Sequence, residues 1–232
     1  IPQGDWTITS GQFDYLGARP DGSPHMIDGD LTLETGSGLQ LANTAVILPN
    51  DGAVNVQGSA QLLGDGSTMT AQSFTMGFDS VLSSGSADGF TVNGNVSWAC
   101  QTLRTSERVE INGNLMLQPG CEFDLVAGSV SGSVTALTGA ELNILSELNI
   151  RVLDQGDPVE GAVISVDGAV ASTDAQGRLS TTATARQVTD SSETIGGIKN
   201  INLQIGSFTD FVTWDSTTSF DHTFMASRIS SG

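Results

Sequence analysis

The stretch Ile27-Asp28-Gly29-Asp30-Leu31-Thr32-Leu33-Glu34-Thr35-Gly36-Ser37-Gly38-Leu39-Gln40-Leu41 has an echo further on. Ile111-Asn112-Gly113-Asn114-Leu115-Met116-Leu117-Gln118-Pro119-Gly120-Cys121-Glu122-Phe123-Asp124-Leu125 runs through nearly the same pattern in the same order. Each reads as an apolar residue, a turn, a short alternating strand, a glycine turn and a second alternating strand. One such unit cannot bury its apolar face alone, so repetition of this kind marks a chain that winds short strands into a stacked β-solenoid. Val92-Asn93-Gly94-Asn95-Val96 repeats the start of the Ile111 block and precedes it by 19 residues. The Ile27 and Ile111 blocks lie 84 residues apart, which is four coils of about 21. Trp6 to about Leu145 therefore reads as roughly five to seven coils, irregular around Asp65–Ser86. Ala18-Arg19-Pro20-Asp21-Gly22-Ser23-Pro24-His25 carries no strand pattern and reads as a loop from the first coil, with Trp6, Ile8 and Phe13 beginning or capping it.

The two cysteines test this reading. Cys100 and Cys121 are 21 residues apart, about one coil. Stacked strands lie about 4.8 Å apart and a disulfide needs Cα atoms about 4.4–6.8 Å apart, so cysteines one coil apart can bond. The spacing predicts a Cys100–Cys121 disulfide and, with it, an oxidising, extracytoplasmic setting.

Composition sets the class. Twenty-eight glycines, abundant Ser, Thr and Asp, and alternating Val/Leu/Ile/Thr runs predict an all-β chain. The net charge is −18, from 26 acids against 8 bases, and Lys199 is the only lysine. Such a surface repels nucleic acid and anionic membranes, which removes both as expected partners. No apolar run approaches the roughly 18 residues of a membrane-spanning helix. The chain opens on Ile1, read as a removed signal peptide or as a piece of a longer secreted protein.

The pattern changes near Glu147. Leu148-Asn149-Ile150-Arg151-Val152-Leu153-Asp154 is a strand, followed by the turn and strand of Gln155–Gly168 and by Thr173-Asp174-Ala175-Gln176-Gly177-Arg178-Leu179. The run V-x-D-x-G-x-P-V-x-G-A-x-V-x-V followed by T-D-A-x-G-x resembles the carboxypeptidase regulatory-like (transthyretin-like, Ig-like) β-sandwich modules of secreted proteins. That resemblance covers about Leu148–Ala185 and implies a structural or adhesive module without catalytic residues. The earlier blocks resemble β-helix segments of large secreted surface proteins of archaea and bacteria. The expected architecture is a right-handed parallel β-helix over residues 1–146 followed by a small antiparallel β-sandwich over 147–232.

A β-helix can carry polysaccharide chemistry, which requires paired carboxylates or a base beside an acidic cluster. Asp28 and Asp30, if extended, sit about 6.6–6.8 Å apart, inside the roughly 6.5–9.5 Å of an inverting glycosidase. Asn112 and Asn114 hold the same places in the sister block, and a turn role open to Asp or Asn explains both. Stacked Asn93, Asn95, Asn112 and Asn114 are expected to hydrogen-bond along the coils. Arg104 and Arg108 have no acidic cluster beside them and read as surface partners of Glu107 or Glu110. His25 and His222 are isolated, and no H-x-x-x-H or G-x-S-x-G arrangement occurs. No cofactor is implied. Structural calcium is the ligand the acids favour, with Asp21, Asp28 and Asp30 as one oxygen set and Asp154, Asp157 and Asp174 as another. Asn95-Val96-Ser97 is a glycosylation sequon.

These features lead to a non-enzymatic extracellular structural protein, assembling with copies of itself through exposed strand edges at its ends. A carbohydrate-binding or adhesin stalk module contacting surface glycans, or a polysaccharide-active enzyme, stands as the alternative.

Overall fold

The computed structural model describes residues 4–101 and 103–226. Among the described residues there is no helix, and the structure is 61% strand. Two compact units form: Ile1–Ile144 with Gln187–Thr194, and Leu145–Arg186 with Ile195–Gly232. The division falls two residues before the boundary read from the sequence. It also moves Gln187–Thr194 into the first unit, because Gln187 Nε2 bonds Glu141 Oε1 at 2.9 Å and Asn143 Oδ1 at 3.1 Å, and Asp190 accepts from the Gly139 N–H at 2.9 Å.

The first unit is a parallel β-solenoid of about six turns, each coil contributing a strand to each of three faces. On the first face Trp6–Ile8, Leu31–Leu33 and Ala53–Val56 stack in order, then the ends of Ser67–Met76 and Phe90–Trp98, then Leu115–Leu117 and Val134–Ala136. The second face begins Phe13–Gly17, Gly38–Ala42, Gln61–Asp65, Val81–Ser83. The third runs from His25–Met26 through Ala45–Ile47 to Val109–Asn112 and Ser129–Val130. Coil length falls from 25 residues between Trp6 and Leu31 to 19 between Leu115 and Val134, while the first-face register stays in step. The surplus goes into corners, including Ala18–Pro24 and Ser84–Asp88. Inward side chains such as Leu31, Leu33, Leu39, Leu41, Val54 and Phe74 are fully buried, as strand alternation requires.

Three corners repeat, each for its own reason. Between the first and second faces a four-residue turn recurs, closed for instance by Ser37 N to Glu34 O at 2.9 Å and by Cys121 N to Gln118 O at 3.1 Å. Its third residue is left-handed in coil after coil: Gly11, Gly36, Ser59, Asp79, Gly120 and Gly139. This is the glycine turn of the quoted blocks, and Pro119 supplies the φ that the position before it prefers. Between the second and third faces a second left-handed column holds Asn43, Gly66, Gly89, Arg108 and Ala127. Between the third and first faces the backbones approach too closely for a side chain. A Cβ on Gly52 would meet the Gly29 carbonyl oxygen at 2.8 Å, and one on Gly113 would run into that of Gly94.

The second unit has an antiparallel four-stranded sheet, Ala169–Ser172, Val163–Val166, Ile198–Ile205 and Phe208–Asp215. Against it packs a layer in which Leu148–Asp154 pairs with Phe220–Ala226. That pair is parallel, so the sandwich is not wholly antiparallel. Leu148, Ile150 and Val152 share one core with Ile164, Leu203, Trp214 and Phe224.

Candidate functional site

The Asp/Asn exchange of the echoing blocks is resolved at the corner before the first face. Asp5 Oδ1 accepts the Asp30 N–H at 3.0 Å, and Asp30 Oδ1 accepts the Ala53 N–H at 2.8 Å. Asn95 Oδ1 accepts the Asn114 N–H at 3.1 Å, and Asn114 Oδ1 accepts the Ser133 N–H at 2.9 Å. In these coils one side-chain oxygen serves the next coil, and either residue type can supply it. On the neighbouring face Asn112 Nδ2 donates to Asn93 Oδ1, and Asn93 Nδ2 to Thr70 Oγ1, both at 3.1 Å. Asn95, the sequon residue, is exposed at its corner.

Cys100 and Cys121 are bonded, with Cα atoms 4.7 Å apart and both side chains buried. In the loop-entropy picture closing this loop contributes about 3 kcal/mol. Beside it Trp98 is buried against Phe123, ring centroids 4.3 Å apart. A disulfide is compatible with an extracellular location.

The calcium candidates do not converge. Asp21 Oδ1 closes a local turn, accepting from Ser23 Oγ at 2.7 Å and Ser23 N at 3.0 Å with Arg19 at 3.8 Å. The Ser23 hydroxyl, the Ser23 N–H and the Arg19 charge hold its carboxyl below the usual carboxylate value. Asp28 is exposed in the corner that begins the second coil, while Asp30 serves the ladder. Asp154 and Asp157 line a groove of about 830 Å³ with Glu160, Pro158, Ile205 and Phe208. Asp174 is not part of that lining, and it accepts from the Gln176 and Arg178 N–H groups at 2.9 and 2.8 Å. Among the described residues no three His, Cys, Asp or Glu side chains are grouped to hold an ion.

Other singled-out residues find structural neighbours. Arg104 pairs with Asp79 of the preceding coil rather than with Glu107 or Glu110. His25 Nε2 donates to the Gly17 carbonyl at 2.9 Å, and His222 packs between Phe220 and Phe224. Trp214 is 1% exposed and its Nε1 donates to the Thr218 carbonyl at 2.7 Å.

Two surfaces stand out that the sequence indicated only in part, through Phe13 at the first coil and the stack of Asn93, Asn95, Asn112 and Asn114. All three first-coil strands, Trp6–Ile8, Phe13–Gly17 and His25–Met26, end their ladders. Phe13, Tyr15 and Met26 are 55%, 62% and 43% exposed there. Phe13 was expected to help cap this coil, and its ring does lie over Gly38, where a Cβ would collide with it. The other surface is the outer side of the first and third faces, where Ser, Thr and Asn repeat in register. Alternation marks these positions as outward, but only the coil register shows that they align.

No known protein-family model matches the chain, and comparison with curated proteins finds no match.

Proposed function

We propose that this is a non-enzymatic extracellular structural protein whose copies assemble through the open first-coil edge into a surface filament, sheath or layer. The observation that carries this reading is the coincidence, among the described residues, of three unpaired strand edges with three exposed large apolar side chains, Phe13, Tyr15 and Met26. Unpaired parallel edges present rows of N–H and C=O groups that recruit another strand. The repeated cross-section supplies one, since each coil already pairs with a coil of the same design. The buried disulfide supports an oxidising setting. In the second unit, the Asp174 turn, the left-handed Gly161 and the close approach of Gly177 to the Val152 carbonyl support the likeness to carboxypeptidase regulatory-like modules.

Electron microscopy with light scattering tests this. Regular polymers are expected from the intact chain, and Tyr15→Lys with Met26→Lys is expected to return them to a species of about 24 kDa. An intact chain that stays monomeric at every concentration overturns the assembly reading.

A further inference from the structure

The outer side of the eleven-stranded sheet that joins the first and third faces is almost free of charge. From Ala53 to Ala136 its outward positions carry one of the chain's 26 acids, Glu110, and no base. In their place stand hydroxyls and amides aligned coil on coil. At the corner these are Ser73, Asn95, Asn114 and Ser133; at the strand centres they are Thr75, Ser97 and Thr135, with Met116 between the last two. Coils repeat about every 4.8 Å, and outward residues along a strand lie about 6.6–6.8 Å apart. The array is held rigid by its own ladders, Asn112 to Asn93 to Thr70 and Ser133 to Asn114. In the corner ladder Asn95 and Asn114 spend only their Oδ1 atoms. Among the described residues their exposed Nδ2 donors have no protein partner and recur one coil apart.

We propose that this face binds a neutral, hydroxyl-rich polysaccharide laid along the solenoid axis. The charge distribution selects the partner. Polyanions are repelled by a molecule of net charge −18, and polycations are drawn to the carboxylates of the other surfaces. An uncharged polymer meets a single ionised side chain here, Glu110. It brings acceptors for the amide donors and both donors and acceptors for the hydroxyls. Met116, 40% exposed in the midst of the polar column, offers an apolar contact to the carbon face of a sugar ring. Each contact is weak, but the sites repeat along a rigid axis, so a polymer engages several at once and gains by effective concentration. This proposal stands apart from end-to-end assembly, because it uses a lateral face that remains available to a monomer.

The test is depletion of the full chain from solution by insoluble cellulose, curdlan and mannan, with chitosan and alginate gels as charged comparisons. Thr75→Glu and Met116→Glu place a carboxylate in the face at exposed positions outside the ladders. Thr105→Glu adds the same charge at an exposed position on the second face, and thermal melting confirms that all three fold. The expected result is retention on at least one neutral polysaccharide, unaffected by salt, that falls about tenfold or more for the two face variants and is unchanged in the control. Retention on none of the three, retention on chitosan alone, or equal loss in the control overturns the proposal. So does loss, in the face variants alone, of self-association or of ice-crystal shaping, which assigns the face to a second copy or to ice.

Discussion

The solenoid and the second unit solve the same problem, burying short strands, in opposite ways. In the solenoid a strand's neighbours are the coils immediately before and after it, so Leu31 stacks on Val54 as Val96 stacks on Leu115. Stability there is a sum of similar nearest-neighbour terms, and the corners decide whether the sum can be formed. In the second unit one core collects Leu148, Ile164, Leu203, Trp214 and Phe224 from elements scattered between residues 148 and 224. Damage in the first is local and graded. Damage in the second spreads through the shared centre to the strands that supply it.

The most severe way to expose this contrast is Trp214→Ala. Removing a buried indole that also donates to Thr218 costs about 3–5 kcal/mol. Calorimetry is expected to show the second unit's transition lost or strongly lowered while the solenoid's persists; a uniform drop in both would mean that the units melt as one. Next in size is Cys121→Ser, or reduction of the wild type, at about 3 kcal/mol. Here the solenoid's transition is the one expected to fall.

Corner substitutions sharpen the comparison within the solenoid. Gly113→Ala forces a Cβ against the Gly94 carbonyl and is expected to cost about 1–3 kcal/mol by overpacking, read from urea midpoints. Ala127→Gly works in the other direction. Ala127 has φ 50°, and relieving a left-handed alanine outweighs the added freedom of the unfolded chain, for an expected gain of about 1 kcal/mol.

Acid has the smallest effect. Asp21, Asp167 and Asp215 all hold their carboxyls below the ordinary value of 3.8. For Asp21 the first cause is the Ser23 hydroxyl. For Asp167 it is the Asn200 N–H, then Lys199, and for Asp215 it is the Thr217 N–H. The unfolded chain therefore binds these protons more readily than the folded one. Their contribution is complete above the ordinary value and is lost as pH falls through the lowered folded values. Two of the three belong to the second unit, so melting between pH 5 and pH 2 is expected to weaken its transition more than the solenoid's, although all three groups are exposed and the difference is small.

Much of this was legible in the residues. The echo of Ile27–Leu41 in Ile111–Leu125 carried the coil, and the Cys100–Cys121 spacing carried the one covalent link between neighbouring coils. The paired Asp and Asn positions pointed to a turn role before their ladder was seen. What escaped were choices among distant partners. Nothing local distinguishes Asp79 from Glu107 as the mate of Arg104, or shows that Phe220–Ala226 lies parallel to Leu148–Asp154. Arg108 and Ala127 were invisible as left-handed residues because glycine is the usual sign of that conformation. Beyond the expected asparagine stack, the charge-poor lateral face escaped for a related reason: its residues are ordinary one by one and unusual only in alignment.

The corner ladder has a further consequence. In Asp5–Asp30–Ala53 and again in Asn95–Asn114–Ser133, every bond runs from the backbone N–H of the later coil to the side-chain oxygen of the earlier one. Although Ala53 interrupts it, the column is thus a vector, with a backbone donor towards the first-coil terminus and a side-chain oxygen towards the other. Two solenoids joined through it could meet only with unlike termini together. Such a contact leaves a fresh terminus of each kind exposed, so growth would be directional and would have no built-in stopping point.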